Sequence, residues 1–375
     1  MRFAHISDLH LGKILKETSL EEDQRHILKE IVRISEEQKV DGILIAGDIF
    51  DNGNTVTNEA SVMLDDFLTE LMEKGIAVFM ISGNHDSMDK LNFGSRIMRK
   101  SGLYISGAFS GRADKYSLTK NGQTVDVYLL PFIKPIHVKR AYPDEKIESY
   151  EDAIRCVIAH SEPSDNRKII VSHQTVFSGA ILPELSDSER AFIGGSESVS
   201  SSVYDGFDYV ALGHIHSAMN MGSDRVRYCG APLKYALSRK ERDKSVTIVD
   251  IGDEVKVSVI PLKPLRDVRI LKGPIDRLLE EGRNDPNRED YIGVLLEGTA
   301  TNPMDRLREV FPNVLAMEYV SSGEGSASLI GDVDLNELDA DEEFAKYYES
   351  KTGEKMTDSQ KKLIHDLFAD NSVVL

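Results

Sequence analysis

Arg2-Phe3-Ala4-His5-Ile6-Ser7-Asp8-Leu9-His10 runs from a strand-like stretch straight into two side chains of metal-ligand type. The pattern recurs along the chain. Gly42-Ile43-Leu44-Ile45-Ala46 leads into Gly47-Asp48, Ile76-Ala77-Val78-Phe79-Met80-Ile81 into Gly83-Asn84-His85-Asp86, and Asp208-Tyr209-Val210-Ala211-Leu212 into Gly213-His214-Ile215-His216. Before the last of these, Lys168-Ile169-Ile170-Val171 delivers Ser172-His173. Ligand-type residues at the ends of successive strand-like runs predict a site gathered at one edge of a sheet. Alternate side chains of an extended chain share a face. Asp8 with His10, and His214 with His216, are therefore each spaced to face one ion.

Carboxylate, amide and imidazole donors without a thiolate suit a divalent ion such as Mn²⁺, with Zn²⁺ or Fe²⁺ as alternatives. Two such ions about 3.5–4 Å apart can hold both the attacking and the leaving oxygen of an in-line displacement at phosphorus. That arrangement needs a bridge, and Asp48 is the candidate because a carboxylate has two oxygens to share. A lone Gly-Asp or His-x-His is ordinarily a turn or an exposed loop. The inference rests on all the clusters standing in this order.

At 375 residues with 41% apolar side chains, the chain is expected to form one large domain with one or two small modules. Two cysteines, Cys156 and Cys229, do not make a disulfide framework and fit a reducing compartment. A strand pattern from Arg2 leaves no signal peptide to be expected, and no apolar run nears the ~18 residues of a membrane span. A cytoplasmic protein is expected, with no membrane partner. The net charge of −18 runs against nucleic-acid binding, where phosphate neutralisation normally dominates. The acidity is uneven, however: residues 321–375 hold 13 acidic against 5 basic side chains. Lys90, Arg96, Arg99 and Lys100 form a basic segment, read either as a phosphate contact or as a solvated helix face, and bound metal ions add positive charge at the site itself.

Residues 1–105 alternate strand and helix in the βαβ manner of a layered α/β fold. A first helix is expected to open on a Ser19-Leu20-Glu21-Glu22 capping box, with Ile27, Leu28, Ile31 and Ile34 on one face; a second covers Asn58 to Met72. Asn121-Gly122 marks a hairpin within 113–130. A helix from Ile147 to His160 and strands at 224–229, 244–250 and 254–260 complete a sandwich of two sheets flanked by helices. Pro261 and Pro264 end this first domain, 1–262. Alternating strand and helix patterns then make a small α/β module over 265–322. After an acidic stretch, residues 340–375 form a helical hairpin whose last helix has a Thr357-Asp358-Ser359-Gln360 capping box. Such a hairpin has little core of its own and is expected either to dock on a partner or to pack back on the same chain.

Ile6-Ser7-Asp8-Leu9-His10-Leu11-Gly12-Lys13, Ala46-Gly47-Asp48-Ile49-Phe50-Asp51, Ser82-Gly83-Asn84-His85-Asp86-Ser87 and Ala211-Leu212-Gly213-His214-Ile215-His216 resemble the motifs of the calcineurin-like metallophosphoesterases. The Asp-x-His-Leu-Gly opening, the Gly-Asp-x-Phe-Asp form and Arg227-Tyr228-Cys229-Gly230-Ala231-Pro232 are similar, more narrowly, to the SbcD branch of nuclease subunits. The motif match covers 1–260; the remainder agrees in layout and around Thr352-Gly353-Glu354-Lys355. The resemblance implies one ion on Asp8, His10, Asp48 and His216, and another on Asp48, Asn84, His173 and His214. It also implies that His85 is no ligand, but contacts the scissile phosphate and stabilises the transition state or protonates the leaving oxygen. Asp51 and Asp86, beside ligands, are read either as orienting them or as making plain loop hydrogen bonds. His5, His26, His137, His160 and His365 are read as structural or surface residues.

The same resemblance implies a Mn²⁺-dependent nuclease that degrades double-stranded DNA ends and cleaves hairpins, in DNA repair and recombination. It would work as a homodimer within a heterotetramer, with 265–322 capping the DNA cleft and the C-terminal hairpin gripping an SbcC-type coiled-coil ATPase. The chain has no Gly-x-x-x-x-Gly-Lys-Ser/Thr loop, so any ATP is bound by another subunit. Two other readings stay open. The ligands are shared with phosphatases and cyclic-nucleotide phosphodiesterases acting on small substrates, although the C-terminal modules disfavour these. A scaffold with an idle site is disfavoured because every expected ligand is present.

Overall fold

The strands that end in ligand-type residues lie in two sheets, each of six strands. The computed structural model describes residues 1–183, 197–320, 356–357 and 360–361. The first sheet runs Val255–Pro261, Ser245–Ile251, Arg2–Ile6 (β1), Gly42–Ala46, Ala77–Ile81, Leu103–Ser106, and it is parallel from β1 onward. The second runs Met219–Asn220, Val226–Tyr228, Tyr209–Gly213, Arg167–His173, Gln123–Leu130, Asp114–Lys120, with its four middle strands parallel.

Between the sheets, Phe3, Leu44 and Phe79 pack in one cluster with Val127, Ile169 and Tyr209. The alternate residues Ala4, Ile43, Ile45 and Met80 join a cluster with helices α1 (Glu21–Glu37) and α2 (Asn58–Glu73), through Ile27, Ile31, Met63 and Phe67. On the far side, Ile170, Val210 and Leu212 pack with Ala153, Ile154 and Val157 of the Tyr150–Ala159 helix. Strands covered on both faces read as unbroken apolar runs, and Gly42–Ala46 and Tyr209–Gly213 are buried at every position. Each fully buried Ile or Phe contributes about 1.5–3 kcal/mol, and this packing holds the strand ends in register. Ile6 pairs with Ile45, Ala46 with Ile81 and His173 with Gly213, so the loops that follow emerge side by side.

The local expectations fare unevenly. The hairpin turns at Asn121 and Gly122, with φ of 52° and 77°, the pair of positive values that a two-residue hairpin loop requires. The capping box at Ser19 does not form: Leu20 stands at the N-cap without a side-chain cap. Glu22 is engaged elsewhere, its carboxylate 2.6 Å from Arg266 Nη2. The helix expected from Ile147 starts instead at Tyr150, behind a reciprocal Ser149–Asp152 cap.

Val268–Pro274, Tyr291–Glu297 and Val314–Val320 form a separate three-stranded sheet. Its own core, with Leu278, Ile292, Val294, Leu307 and Phe311, includes residues of the Ile275–Asn284 and Pro303–Arg308 helices. The chain divides into two units, Met1–Tyr319 and Val320–Leu375. In the second unit, Thr357 N donates to Gln360 Oε1 at 2.8 Å and Gln360 N donates to Thr357 Oγ1 at 3.4 Å, which is the reciprocal cap read from the sequence. The rest of the 340–375 hairpin, with His365, lies outside the described residues. Among the described residues no helix is long and apolar enough to cross a membrane.

Candidate metal centre

The loops leaving β1 and Gly42–Ala46 are zipped together by Asp8 N to Gly47 O and His10 N to Asp48 O, both 3.0 Å. To make this turn Asp8, His10 and Asp48 take φ of 55°, 44° and 51°, and His214 takes 93°. Left-handed backbone at non-glycine residues is costly and persists where the surroundings over-determine it. Asp86 supplies part of that constraint, accepting from Gly83 N, Phe50 N and Ile49 N at 2.9–3.0 Å. It thereby staples the second loop to the third. The Asp48 carboxylate also receives His85 N at 2.9 Å, and Asp8 receives His214 N at 3.1 Å.

The side chains converge in two groups that share Asp48. In one, His10 Nε2 lies 3.2 Å from His216 Nε2 and 3.8 Å from Asp48 Oδ2, with His216 Nε2 4.0 Å from Asp8 Oδ1. In the other, His173 Nε2 lies 3.4 Å from Asp48 Oδ2 and 3.1 Å from Asn84 Oδ1, which is 2.9 Å from His214 Nδ1. Asp8 and His10 face one group together, although their positive φ values mean that the extended-strand alternation behind the spacing argument does not hold there. His214 and His216 do not, because the positive φ at His214 turns the chain and breaks the alternation of an extended strand.

Close approach here depends on missing side chains. A Cβ on Gly83 would overlap the Asp48 carboxylate, and one on Gly213 would overlap the Ala46 carbonyl and come within 2.8 Å of His173 Nδ1. That carbonyl accepts from His173 Nδ1 at 2.7 Å, so that once the ring is neutral Nε2 is the lone-pair nitrogen aimed into the site.

Asp8, Asp48, His10, His173 and His216 are buried, whereas Asn84 and His85 are exposed and His214 is half-buried. Burial opposes ionisation of Asp48, yet the imidazoles around it, His173 foremost, hold its carboxyl far below the usual range. Burial also disfavours charge on His173, but Asp48 overrides it and lifts the ring to about 9. Burial, then neighbouring His173, pushes His214 down to about 3; burial, then His10, pushes His216 well below its usual value. His214 and His216 held neutral and Asp48 held ionised are in the protonation states that metal binding requires, whereas His173 must give up a proton as a metal binds. Ligand bonds of about 2.0–2.2 Å set neighbouring ligand atoms about 3 Å apart. The spacings in both groups therefore fit a pair of divalent cations.

Other side chains hold these in place. Asp51 Oδ1 stands 3.4 Å from His10 Nδ1, short of a hydrogen bond, and 2.8 Å from Lys13 Nζ. Burial would raise the Asp51 carboxyl, but His10 and Lys13 bring it down to about 2. His85 stands edge-on to His10, ring centres 4.9 Å apart, with Nδ1 2.9 Å from Asp51 O. The Ser7 hydroxyl donates to Asp8 Oδ2 and touches Cys229 Sγ.

Three supports carry no ligand pattern and were missed in the sequence. Gln24 Nε2 donates to Leu9 O and His10 O at 3.2 and 2.7 Å. Tyr235 donates to Leu9 O at 2.6 Å, its ring edge-on to both His10 and His216. Lys244 Nζ reaches His216 O at 3.0 Å and Glu241 at 2.7 Å. Of the histidines set aside, buried His5 pairs with Tyr209 OH at 2.9 Å, His26 Nε2 lies 3.1 Å from Lys263 O, and His137 and His160 make local backbone contacts.

Residues 1–218 match the calcineurin-like phosphoesterase family, and residues 264–352 match a domain described as the type 5 capsule protein repressor C-terminal domain. The SbcD subunit of the SbcCD nuclease from Staphylococcus epidermidis is 31% identical, the alignment covering 98% of this chain and 98% of that one. Its counterpart from Staphylococcus saprophyticus is 32% identical over 98% of this chain and 97% of its own length. The chain belongs to the calcineurin-like phosphoesterase family, and within it to the SbcD branch of nuclease subunits.

Proposed function

We propose that the chain is the nuclease subunit of an SbcC-type ATPase complex, hydrolysing phosphodiesters at DNA ends and hairpins during repair and recombination. The observation that carries this reading is the pair of donor groups sharing Asp48, in a chain similar to SbcD nucleases over nearly its whole length. Asp8, His10, Asp48 and His216 would hold one divalent ion, and Asp48, Asn84, His173 and His214 the other, Mn²⁺ being favoured by the nitrogen and oxygen donors. When bound, the ions supply Lewis-acid stabilisation of charge on the phosphoryl oxygens.

The protein's own groups do the rest. His85 is exposed at the site, and its Nδ1 is tied to the Asp51 carbonyl, so a protonated ring has the Nε2 proton to give to the 3′ oxygen as the P–O bond breaks. Asp51 steadies His10 from behind, and Asp86 fixes the loops that carry Asp48 and Asn84.

The domain reading is 1–262 as nuclease, 265–322 as a cap over DNA and 340–375 as the ATPase-binding hairpin, in a cytoplasmic homodimer. Phe93 and Ile97, 83% and 76% exposed, and Met98 next in sequence leave apolar side chains in solvent on this segment, which is consistent with self-association. Of the basic segment there, Lys90 is tied to Gly53 O and Asn54 O, while Arg96, Arg99 and Lys100 are exposed.

The test is cleavage of an end-labelled DNA hairpin in Mn²⁺ by the full chain, with and without its co-expressed ATPase and ATP, Asp48→Ala serving as control. Cleavage that needs Mn²⁺ and Asp48 and rises with ATPase plus ATP is expected. A metal-loaded complex that leaves DNA intact but turns over a nitrophenyl phosphodiester would overturn the nuclease reading.

A further inference from the structure

We infer that Arg266 and Tyr291, where the three-stranded module meets the two-sheet part of the chain, are positioning residues for the Asp8–His10–His216 half of the metal centre, so that seating of the module and occupancy of that half are linked. The inference rests on the two-ion reading above.

The connection runs through two adjacent residues in the first turns of α1. Asp23 is buried, and its carboxylate is gripped by Arg266 through Nε at 3.1 Å and Nη2 at 2.8 Å, with Tyr291 OH donating at 2.7 Å. The guanidinium also lies over the Tyr291 ring, 5.4 Å from its centre. A forked, charge-assisted pair of this kind fixes geometry as well as adding energy. The next residue, Gln24, accepts from Gly12 N at 3.0 Å and donates to Leu9 O and His10 O, the backbone of the loop that carries Asp8 and His10.

A second route runs parallel to the first. Lys234 Nζ is 2.9 Å from the Asp267 carboxylate, at the start of the module. Its neighbour Tyr235 is the ring set against His10 and His216 and bonded to Leu9 O. Both routes thus end on Leu9 and His10, and the second also on His216.

The seam itself is not packed solid. A cavity of about 160 Å³ lies along it, lined among others by Asp23, Lys234, Lys244, Arg266, Asp267 and Tyr291. Apolar contacts through Val268 and Leu237 contribute, but the charged groups facing this space fix the register of the module on α1. The other half of the centre is held differently, from within the sandwich: His173 by the Ala46 carbonyl, and Asn84 against His173 and His214. Coupling between two sites is reciprocal in binding free energy. Whatever displaces the module must therefore weaken the first ion, and loading that ion must tighten the module.

The experiment is calorimetric titration of the metal-free full chain with Mn²⁺, comparing wild type with Arg266→Ala, Tyr291→Phe and Arg277→Ala. Arg277 is exposed and bonds to Lys272 O and Glu281 inside the module. Arg266→Ala should weaken one of two ions about tenfold, the lower end of what outer partners of metal ligands carry, and leave the other unchanged. Tyr291→Phe, which removes one hydroxyl and is the deciding variant should Arg266→Ala fail to fold, should shift the same ion in the same direction by a smaller factor. Arg277→Ala should change neither. Two ions bound with both affinities unchanged in Arg266→Ala and Tyr291→Phe, or both lowered equally, would overturn the proposal alone. A wild-type chain that takes up fewer than two ions would overturn the two-ion reading, and the proposal with it.

Discussion

The two halves of the metal centre share a carboxylate and little else. The Asp8–His10–His216 half is buried, and it is braced by side chains that arrive from α1, from Tyr235 and from Lys244, all acting on backbone carbonyls. The Asn84–His173–His214 half opens to solvent at Asn84, and it is held by strand ends packed so closely that Gly83 and Gly213 admit no Cβ. One half is positioned by contacts that converge from distant parts of the sequence, the other by the sandwich itself. The same donor chemistry can be made precise in either way, and the two ways fail under different substitutions.

His85 stands edge-on to His10 of the first half and is proposed above as a proton donor and not a ligand, so its removal should give the largest effect on turnover with the least effect on binding. His85→Ala is expected to lower hydrolysis by about 10²–10⁴-fold, the usual range for a positioned acid or base, while Mn²⁺ uptake stays at its wild-type level. DNA cleavage by the metal-loaded variant at the wild-type rate would remove the role assigned to it.

His5 links the strands beneath the two halves, since β1 runs into Asp8 and its partner Tyr209 begins the strand that ends before His214. Burial foremost, with Arg227 adding repulsion, pushes His5 down to about 3 from an ordinary 6.5. The folded state therefore keeps the ring neutral while the unfolded chain protonates it. Stability is whole above about pH 6.5 and is lost as pH falls from there toward 3. Between pH 7 and 4.5 this group should cost on the order of 2 kcal/mol. Urea unfolding of the metal-free protein should show that His5→Gln loses less stability over this interval than wild type; equal losses would show that the ring does not titrate in this way.

Gly213→Ala attacks the second half most directly. The new Cβ meets the Ala46 carbonyl, so His173 must shift, at a cost of about 1–3 kcal/mol for overpacking. A lower midpoint of thermal unfolding, with weaker binding of one ion, is expected. Loss of both ions together would mean that the halves are not separately supported.

The sandwich and the converging residues were legible because both rest on local pattern: unbroken apolar runs for strands covered on two faces, and ligand-type residues at their ends. What was not legible depended on distant partners or on backbone angles. The Ser19 cap gives way to an N-cap at Leu20, with Glu22 paired to Arg266, 244 residues along the chain. His214 and His216 part company because of one positive φ. Gln24 and Tyr235 drew no reading of their own, and Lys244 only that of the first residue of the strand expected at 244–250; their work is on carbonyl oxygens, which leave no mark in a sequence.

The smallest effect expected is also the finest probe of the braced half. Tyr235→Phe removes only the hydroxyl that donates to Leu9 O at 2.6 Å and leaves the ring against His10 and His216. Losing one buried hydrogen bond costs about 1 kcal/mol, and the Leu9 carbonyl, left with the 3.2 Å bond from Gln24 Nε2, lies one residue before His10. If the brace serves the ions, part of that cost should appear as a few-fold weaker binding of the first ion, with the second unaffected. If the bond serves only the fold, unfolding should shift while both affinities hold. Comparing the two readouts in this one variant separates a support for the ligand loop from a hydrogen bond that merely happens to lie beside it.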